Sequence, residues 1–424
     1  MTGFRDRQAA LVVALVGGSH VVNHMYYMLL PPVTAVAAAD LGVGVARIGL
    51  AIGLLGAVVT GLQLPFGHLS DTRGRTPMLA LSLGFGALGA VLTATAQSYA
   101  WLLVSQAVLG VGIAGHHPAH YPLLSAATDP GTRGRAFSVH GFTGALGFAA
   151  PPALVAGVLT LGYGWRAALG IIAVVGVVYA VGCVAVFVRY VDSEITAPSD
   201  TSRADEPWSA SRVRALPGRA LASLRGMLAD RGILLITVLW LVTSIAAWGI
   251  KTQTVPLLTD TYGLASATAN TLVSAMFVIG AVLMFGGGWL TDRFSPERVL
   301  VAGYVALVAV SATLATGALP ALAVVGLTLL LASTIDYSRP ARATLADRFS
   351  TADDIGKNFG LVTIGISGGA AVAPPVLGWV SGTYGVDASF AAMAGLGVLS
   401  LALTGVVVRV SGGRRSATPQ PGDD

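Results

Sequence analysis

One segment of this chain occurs twice, half a chain length apart. Residues 114–152 read AGHHPAHYPLLSAATDPGTRGRAFSVHGFTGALGFAAPP, and residues 337–375 read YSRPARATLADRFSTADDIGKNFGLVTIGISGGAAVAPP. Aligned without a gap, Pro118 meets Pro340, Leu123 meets Leu345, Gly134 meets Gly356, Phe137 meets Phe359, Gly147 meets Gly369 and Pro152 meets Pro374. A second pair keeps the same spacing within one residue: GHLSDTRGR at Gly67–Arg75 and GWLTDRFSPER at Gly288–Arg298 set Asp71 opposite Asp292. A constant offset of this size is an internal duplication, and it restricts the fold to two copies of one unit.

The unit is a membrane unit. Only 11% of the 424 residues are charged and 54% are hydrophobic, whereas a soluble domain carries about 25% charge. The uncovered apolar surface must face lipid, where only helices and closed barrels satisfy their own backbone groups. The apolar runs are about twenty residues long without a period of two, so they are helices. Twelve spans are predicted, at about 9–31, 46–66, 77–96, 100–125, 136–160, 167–189, 231–257, 269–291, 298–317, 320–346, 358–382 and 388–410. The expected fold class is an all-α integral membrane protein of two parallel six-helix repeats. Its parts are an N-terminal six-helix bundle (1–190), a polar linker (191–230), a C-terminal six-helix bundle (231–410) and a polar tail (411–424). The linker holds Pro198, Pro207 and Pro217, and a basic surface helix is expected over 211–229. The first run is too long for a cleavable signal peptide and lacks its cleavage pattern. The lone cysteine, Cys183, forms no internal disulfide.

Charge placement predicts orientation. With the N-terminus inside, 20 of the 25 basic residues fall in inner segments, and the outer segments keep only Arg47 and Arg166. This is the positive-inside asymmetry. It accounts for the net charge of +5 without a nucleic-acid partner and predicts a multi-pass protein of the cell membrane with both termini cytoplasmic. Six spans per half make the repeats parallel.

Two six-helix halves, a polar central linker and a G-x-L-x-D-x-x-G-R motif after the second span resemble the major facilitator superfamily. The motif residues are Gly67, Leu69, Asp71, Gly74 and Arg75, with a degenerate copy at Gly288, Leu290, Asp292 and Arg293. Within that superfamily the chain is similar to the fosmidomycin-resistance type of permease. Its first span reads SHVVNHMYYMLLPPV, similar to that group's S-H-x-x-N-D, and its fourth span carries His117–Pro118. It departs in having His24 where that group tends to have Asp, in the second histidine before Pro118 and in His120. The resemblance implies a transporter that works by alternating access, usually as a monomer. It also implies a conformational latch between the halves, made of Gly67, Asp71, Arg73, Gly74 and Arg75 with Asp292 and Arg293. An Asp at such a junction can face the partial positive charge of a neighbouring helix N-terminus.

The residues expected to bind substrate or couple its movement are ionisable groups inside spans, which are costly there and usually functional. All seven histidines lie in the first half. His20 and His24 share a helix face, with Asn23 and Tyr27 on the same span, and His116, His117 and His120 fall within one 100° arc. His68 reads as structural, and the sequence leaves the role of His140 open. The second half offers Lys251, Asp336, Arg339 and Arg342. Asp336 can pair with Arg339, while Arg342 can snorkel to the cytoplasmic interface. Cations across a cavity from histidines suit an anionic solute such as a carboxylate or phosphonate. Tyr26, Tyr27, Tyr121, Trp240, Trp248 and Tyr337 are candidate stacking groups. The glycines and prolines of the fifth and eleventh spans allow close helix approach, and their loose likeness to the G-x-x-x-G-P motif of proton-coupled exporters favours export.

No nucleotide-binding G-x-x-x-x-G-K-[ST] occurs. No cofactor and no catalytic constellation are expected, so the chain does not read as an enzyme. The leading reading is a proton-coupled secondary transporter exporting a small organic solute as an efflux or drug-resistance protein. The proton would be carried by one or more of His24, His116, His117 and Asp336. No metal site is assigned, but the second reading is movement of a metal or metal chelate through the histidines. A non-transporting sensor on the same fold is the third.

Overall fold

The structure, a computed structural model, describes residues 2–198, 231–348 and 355–415. The basic helix expected over 211–229 and the tail from 416 lie outside the described residues. Twelve helical spans are long and apolar enough to cross a membrane. In chain order they are Arg7–Asp40, Val45–Arg73, Arg75–Ala94, Tyr99–Ala127, Pro130–Thr160, Trp165–Tyr190, Arg231–Thr261, Ser266–Arg293, Pro296–Leu314, Ala321–Leu345, Ile364–Tyr384 and Val386–Val410. They are called the first to twelfth spans below, and the side of the bundle where the chain begins is the N-terminal face.

The duplication read in the sequence reappears as duplicated packing. The first span packs on the fifth, and the seventh on the eleventh. The third packs on the sixth and the ninth on the twelfth; the second packs on the fourth and the eighth on the tenth. The halves meet along two seams, the second span against the eleventh and the fifth against the eighth.

Several helices run further than the apolar pattern suggested. The fifth starts at Pro130, not near 136, so Arg133 and Arg135 sit on its first turns rather than in a connection. Pro130 stands at the helix start, where the missing N–H costs nothing. The second span runs through Asp71 to Arg73 and stops at Gly74, whose φ of 98° favours glycine.

The two copies of the repeated segment are broken at matching places. The fourth span is interrupted at Gly115, between the helices Tyr99–Ala114 and His116–Ala127. The tenth is interrupted at Tyr337 and Ser338, between the helices Ser333–Asp336 and Arg339–Arg348. Each break lies just ahead of the aligned prolines, Pro118 and Pro340. A proline removes a backbone donor and crowds the carbonyl one turn earlier, so the preceding turn loosens. Interrupted helices at equivalent places in two repeats are where transporter binding sites are usually built.

On the side opposite the N-terminal face, a side chain at Gly49 would strike the Pro374 carbonyl, and one at Gly53 would meet Pro375 at 2.7 Å. There the Asn270 amide donates to the Pro32 carbonyl at 3.1 Å, and Ser274 donates to the Ala149 carbonyl at 2.9 Å. Met28, Leu29, Leu30, Leu257 and Leu258 are fully buried. Among the described residues, the second and eleventh spans are thus in tight contact on the far side of this seam.

Candidate functional site

Six of the seven histidines form one cluster. His20 and His24 come from the first span, His116, His117 and His120 from the helix after the Gly115 break, and His140 from the fifth span. His20 is central: its ring lies 3.7 Å from that of His140, 4.1 Å from His24 and 4.6 Å from His116. His116 lies 4.0 Å from His120 and 4.5 Å from His117. Counting 1.5 Å per residue from the span ends puts the cluster roughly 10–25 Å below the N-terminal face. The first and fifth spans come this close because of two glycines. A side chain at Gly144 would collide with the His20 and His24 rings, and one at Gly147 would meet the Val21 carbonyl at 2.5 Å and His24 Cβ at 2.6 Å.

The hydrogen bonds assign the tautomers. His20 Nδ1 donates to the His140 carbonyl at 2.5 Å, and His24 Nδ1 donates to the Gly144 carbonyl at 2.8 Å. A carbonyl only accepts, so both Nδ1 atoms carry hydrogen. The two Nε2 atoms then face each other at 3.0 Å. On the far side of the cluster, His120 Nε2 pairs with Ser19 Oγ at 2.8 Å and its Nδ1 with His140 Nε2 at 3.2 Å. Both ring nitrogens of His116 are buried without a hydrogen-bond partner. His24 and His117 are only partly buried and form the edge of the cluster.

The second half presents charge to the same region. Asp336 and Arg339 pair across the break in the tenth span at 2.9 Å, with Arg339 46% exposed. Arg339 is close enough to His24 and Tyr121 to interact with them electrostatically. Lys251 is 7% exposed and interacts at longer range with Asp336, Arg339 and Arg342. Its ammonium lies over the rings of Phe148, at 4.8 Å, and Trp248, at 5.3 Å. Phe148 also lies tilted against His24 at 4.3 Å, and Tyr27 approaches Trp248 at 5.2 Å. These aromatic contacts carry the site from one half to the other, beneath the closed far side.

The sequence-predicted residues divide as follows. His20, His24, His116, His117, His120, Lys251, Asp336 and Arg339 converge, with Tyr27 in the aromatic bridge. Asn23 is buried on the first span, its side-chain oxygen without a partner. Arg342 does not snorkel. It is 3% exposed, donates to Thr243 and to the Ile335 carbonyl, and lies over Trp240 at 4.5 Å. A cation–π face, one hydroxyl and one backbone carbonyl hold it inside instead. Tyr26 is fully buried against Gly86 and Gly176 and faces no cavity. His68 is exposed, apart from the cluster. His140, Ser19 and Phe148 were missed or left open. His140 lies one helical turn before Gly144, and that spacing on the glycine-bearing face was the available signal.

Of the latch residues, Asp71 and Arg73 end the second span exposed, and Gly67 lies on its last turns. Gly74 makes the turn, and Arg75 donates to the Ile195 carbonyl at 2.7 Å, within its own half. Asp292 and Arg293 end the eighth span, with Arg293 over Trp289 at 4.6 Å.

A cavity of about 180 Å³ lies on the closed side, between the second, seventh and eleventh spans. Its position does not coincide with the charged centre.

Known proteins place this arrangement. The chain matches the family model described as Major Facilitator Superfamily over residues 16–338 and 256–422. Among curated proteins it is 34% identical over 123 residues to the inner membrane transport protein YajR of Escherichia coli, covering 29% of this chain and 27% of that one. It is 37% identical over 125 residues to the puromycin resistance protein pur8 of Streptomyces alboniger, covering 29% and 24%. It is 26% identical over 242 residues to the MFS-type transporter YybF of Bacillus subtilis, covering 56% and 55%. The alignments thus span between a quarter and about half of these relatives. Among solved structures, a bacterial homologue of the human lysosomal transporter Spinster, in an inward-facing and unoccupied conformation, superposes with a TM-score of 0.77. That match has 14% identity and covers 98% of this chain and 99% of that one. The nucleoside transporter NupG gives 0.74 at 13% identity, covering 94% and 99%. At these identities the structures speak to the fold alone, and the fold agrees with the family match: the chain belongs to the Major Facilitator Superfamily and is a multi-pass membrane protein.

Proposed function

We propose that the protein moves a small organic solute bearing an anionic group, by alternating access, and that protons drive the movement. The observation that carries this reading is the excess of positive charge at the centre. Lys251, Arg339 and Arg342 stand around one carboxylate, Asp336. Lys251 makes no ion pair or hydrogen bond among the described residues. A buried cation without a counterion is costly, and a carboxylate or phosphonate arriving between the tenth and seventh spans would relieve that cost.

Asp336 is the proton carrier that fits this arrangement. Ionised, it occupies Arg339; protonated, it frees the guanidinium for the solute. By this linkage proton and anion load together, which is cotransport. Export by proton exchange requires instead that solute and proton exclude each other. The partial likeness to a puromycin resistance protein supports export, whereas the Asp336–Arg339 pair supports cotransport, so direction is read from which side solute accumulates.

The positive-inside asymmetry puts the N-terminal face in the cytoplasm.

The test is a thermal-shift screen of the purified protein with carboxylates, phosphonates, organic cations and sugars. A ligand bound only by the folded state raises its stability. The reading expects stabilisation by at least one anion, lost in Lys251→Gln; stabilisation by organic cations alone contradicts it.

A further inference from the structure

We propose that His20, His24, His116 and His117 form a binding site for one late first-row divalent transition-metal ion, of the zinc, cobalt or nickel kind. One donor nitrogen from each of these histidines lies within 4.8 Å of the others.

The first argument is the tautomer of the central pair. Each Nδ1–H is spent on a backbone carbonyl of the fifth span, so in the neutral imidazoles both Nε2 atoms present lone pairs. Those lone pairs face each other at 3.0 Å. Two acceptors do not attract; something positive must sit at that place. Metal-bound histidines characteristically donate the other ring N–H to a carbonyl, which fixes the ring and raises its basicity. His20 and His24 are both already held that way.

The second argument is His116. It is 1% exposed, and neither ring nitrogen has a hydrogen-bond partner among the described residues. Buried polar atoms are almost always satisfied, and an exception calls for a cause. Its ring is 4.6 Å from that of His20 and 5.8 Å from that of His24, so a nitrogen can turn toward the same point. A histidine kept only for packing would not be left so.

A tetrahedral ion needs the donors, now within 4.8 Å of one another, to draw together. With metal–nitrogen bonds of 2.0–2.1 Å, neighbouring donors of a tetrahedron stand about 3.3 Å apart. The His20–His24 pair needs to open by a few tenths of an ångström, and the widest pair of the set needs to close. Imidazole nitrogens without thiolates favour zinc, cobalt, nickel and copper over the hard cations, which take oxygen. The cost of a divalent charge inside the bundle is eased on the side of His24 and His117, which are only partly buried. There a water or an anion can complete the coordination.

The proposal does not rest on the anion-transport reading, and its test uses no solute. Full-length protein is purified in detergent, stripped with chelator and titrated with Co²⁺ while the visible d–d absorption is followed. The expected result is one Co²⁺ per chain with the intense bands of a low-symmetry nitrogen site, reversed by chelator and competed by Zn²⁺. His116→Ala and, separately, the edge variant His117→Gln should each weaken the affinity at least tenfold. His68→Asn, outside the cluster, should leave it unchanged. A folded wild type that shows no such bands at stoichiometric Co²⁺ overturns the proposal. So does binding that survives both His116→Ala and His117→Gln, or binding that is lost in His68→Asn. In the first of these outcomes, the two Nε2 atoms share a proton instead.

Discussion

His24 and Lys251 both contact one ring, that of Phe148. Phe148 lies tilted against His24 at 4.3 Å and takes the Lys251 ammonium at 4.8 Å. A first-half histidine and a second-half cation thus share a single aromatic contact at the level where the halves join. Movement of one half against the other must pull this contact apart or carry it along.

Lys251 is the first place to probe it. A buried ammonium that lies over ring faces and feels the Asp336 carboxylate only at longer range costs stability, and its replacement by an apolar group of similar length removes that cost. Lys251→Met is expected to melt higher than wild type by a few degrees in detergent. It should also lose any stabilisation by anions. Both are read from one thermal-unfolding series with and without ligand. A variant that melts markedly lower would mean that the ammonium has a stabilising partner.

The glycines of the fifth span should rank by what stands opposite them. At Gly141 the nearest atom to an added side chain is the end of Met284, at 4.0 Å, and alanine is the better helix former by about 1 kcal/mol. At Gly147 the added carbon meets backbone of the first span, which cannot turn away, and overpacking costs about 1–3 kcal/mol. Gly141→Ala is therefore expected to be neutral or stabilising and Gly147→Ala destabilising. Gly144→Ala should displace the His20 and His24 rings and abolish cobalt binding. Melting temperatures and the cobalt titration check the series.

Gly49 controls the closed side. Any side chain there strikes the Pro374 carbonyl, so Gly49→Val should disfavour the conformer in which the second and eleventh spans touch. The readout is a cysteine at Gln253, 5% exposed beside the far-side cavity, in a Cys183→Ala background. Labelling by a membrane-impermeant thiol reagent from that side should rise several-fold in the valine variant. Unchanged labelling would show that the seam opens elsewhere.

Arg166 and Asp40 form an ion pair on the far face, with side chains 31% and 44% exposed. Arg166 also donates to the Ala96 carbonyl, at 3.2 and 2.6 Å. An exposed pair is worth about 0–1 kcal/mol, so Asp40→Asn should barely change the melting temperature. Arg166→Ala loses the carbonyl contacts as well and should cost more, about 1–3 kcal/mol.

The fold was legible because lipid leaves few choices. Twelve apolar runs could only be helices, and the 222-residue offset from Pro118 to Pro340 paired them into equivalent halves. The ends were less legible: Arg133 and Arg135 looked like a connection, yet a helix start tolerates both Pro130 and charge. The site was half legible. Helical spacing brought His20 to His24 and His116 to His120. It could not bring the first span to the fifth, because that depends on which glycine meets which carbonyl. His140 was thus left out, and Phe148 passed unnoticed as one apolar residue among many. Arg342 was expected at the interface because its partners, Trp240 and Thr243, lie about a hundred residues away in sequence.

The central claim is that protons drive solute through the space between His24, Lys251 and Asp336, and its most direct test is proton movement itself. Protein in liposomes with a pH-sensitive dye inside would be challenged with carboxylates and phosphonates at a fixed pH difference. The account predicts solute-dependent proton flux for at least one anion. It also predicts that Asp336→Asn abolishes that flux while exchange of the labelled anion continues. Anion exchange with no proton flux in the wild type, or full proton flux in Asp336→Asn, would contradict it.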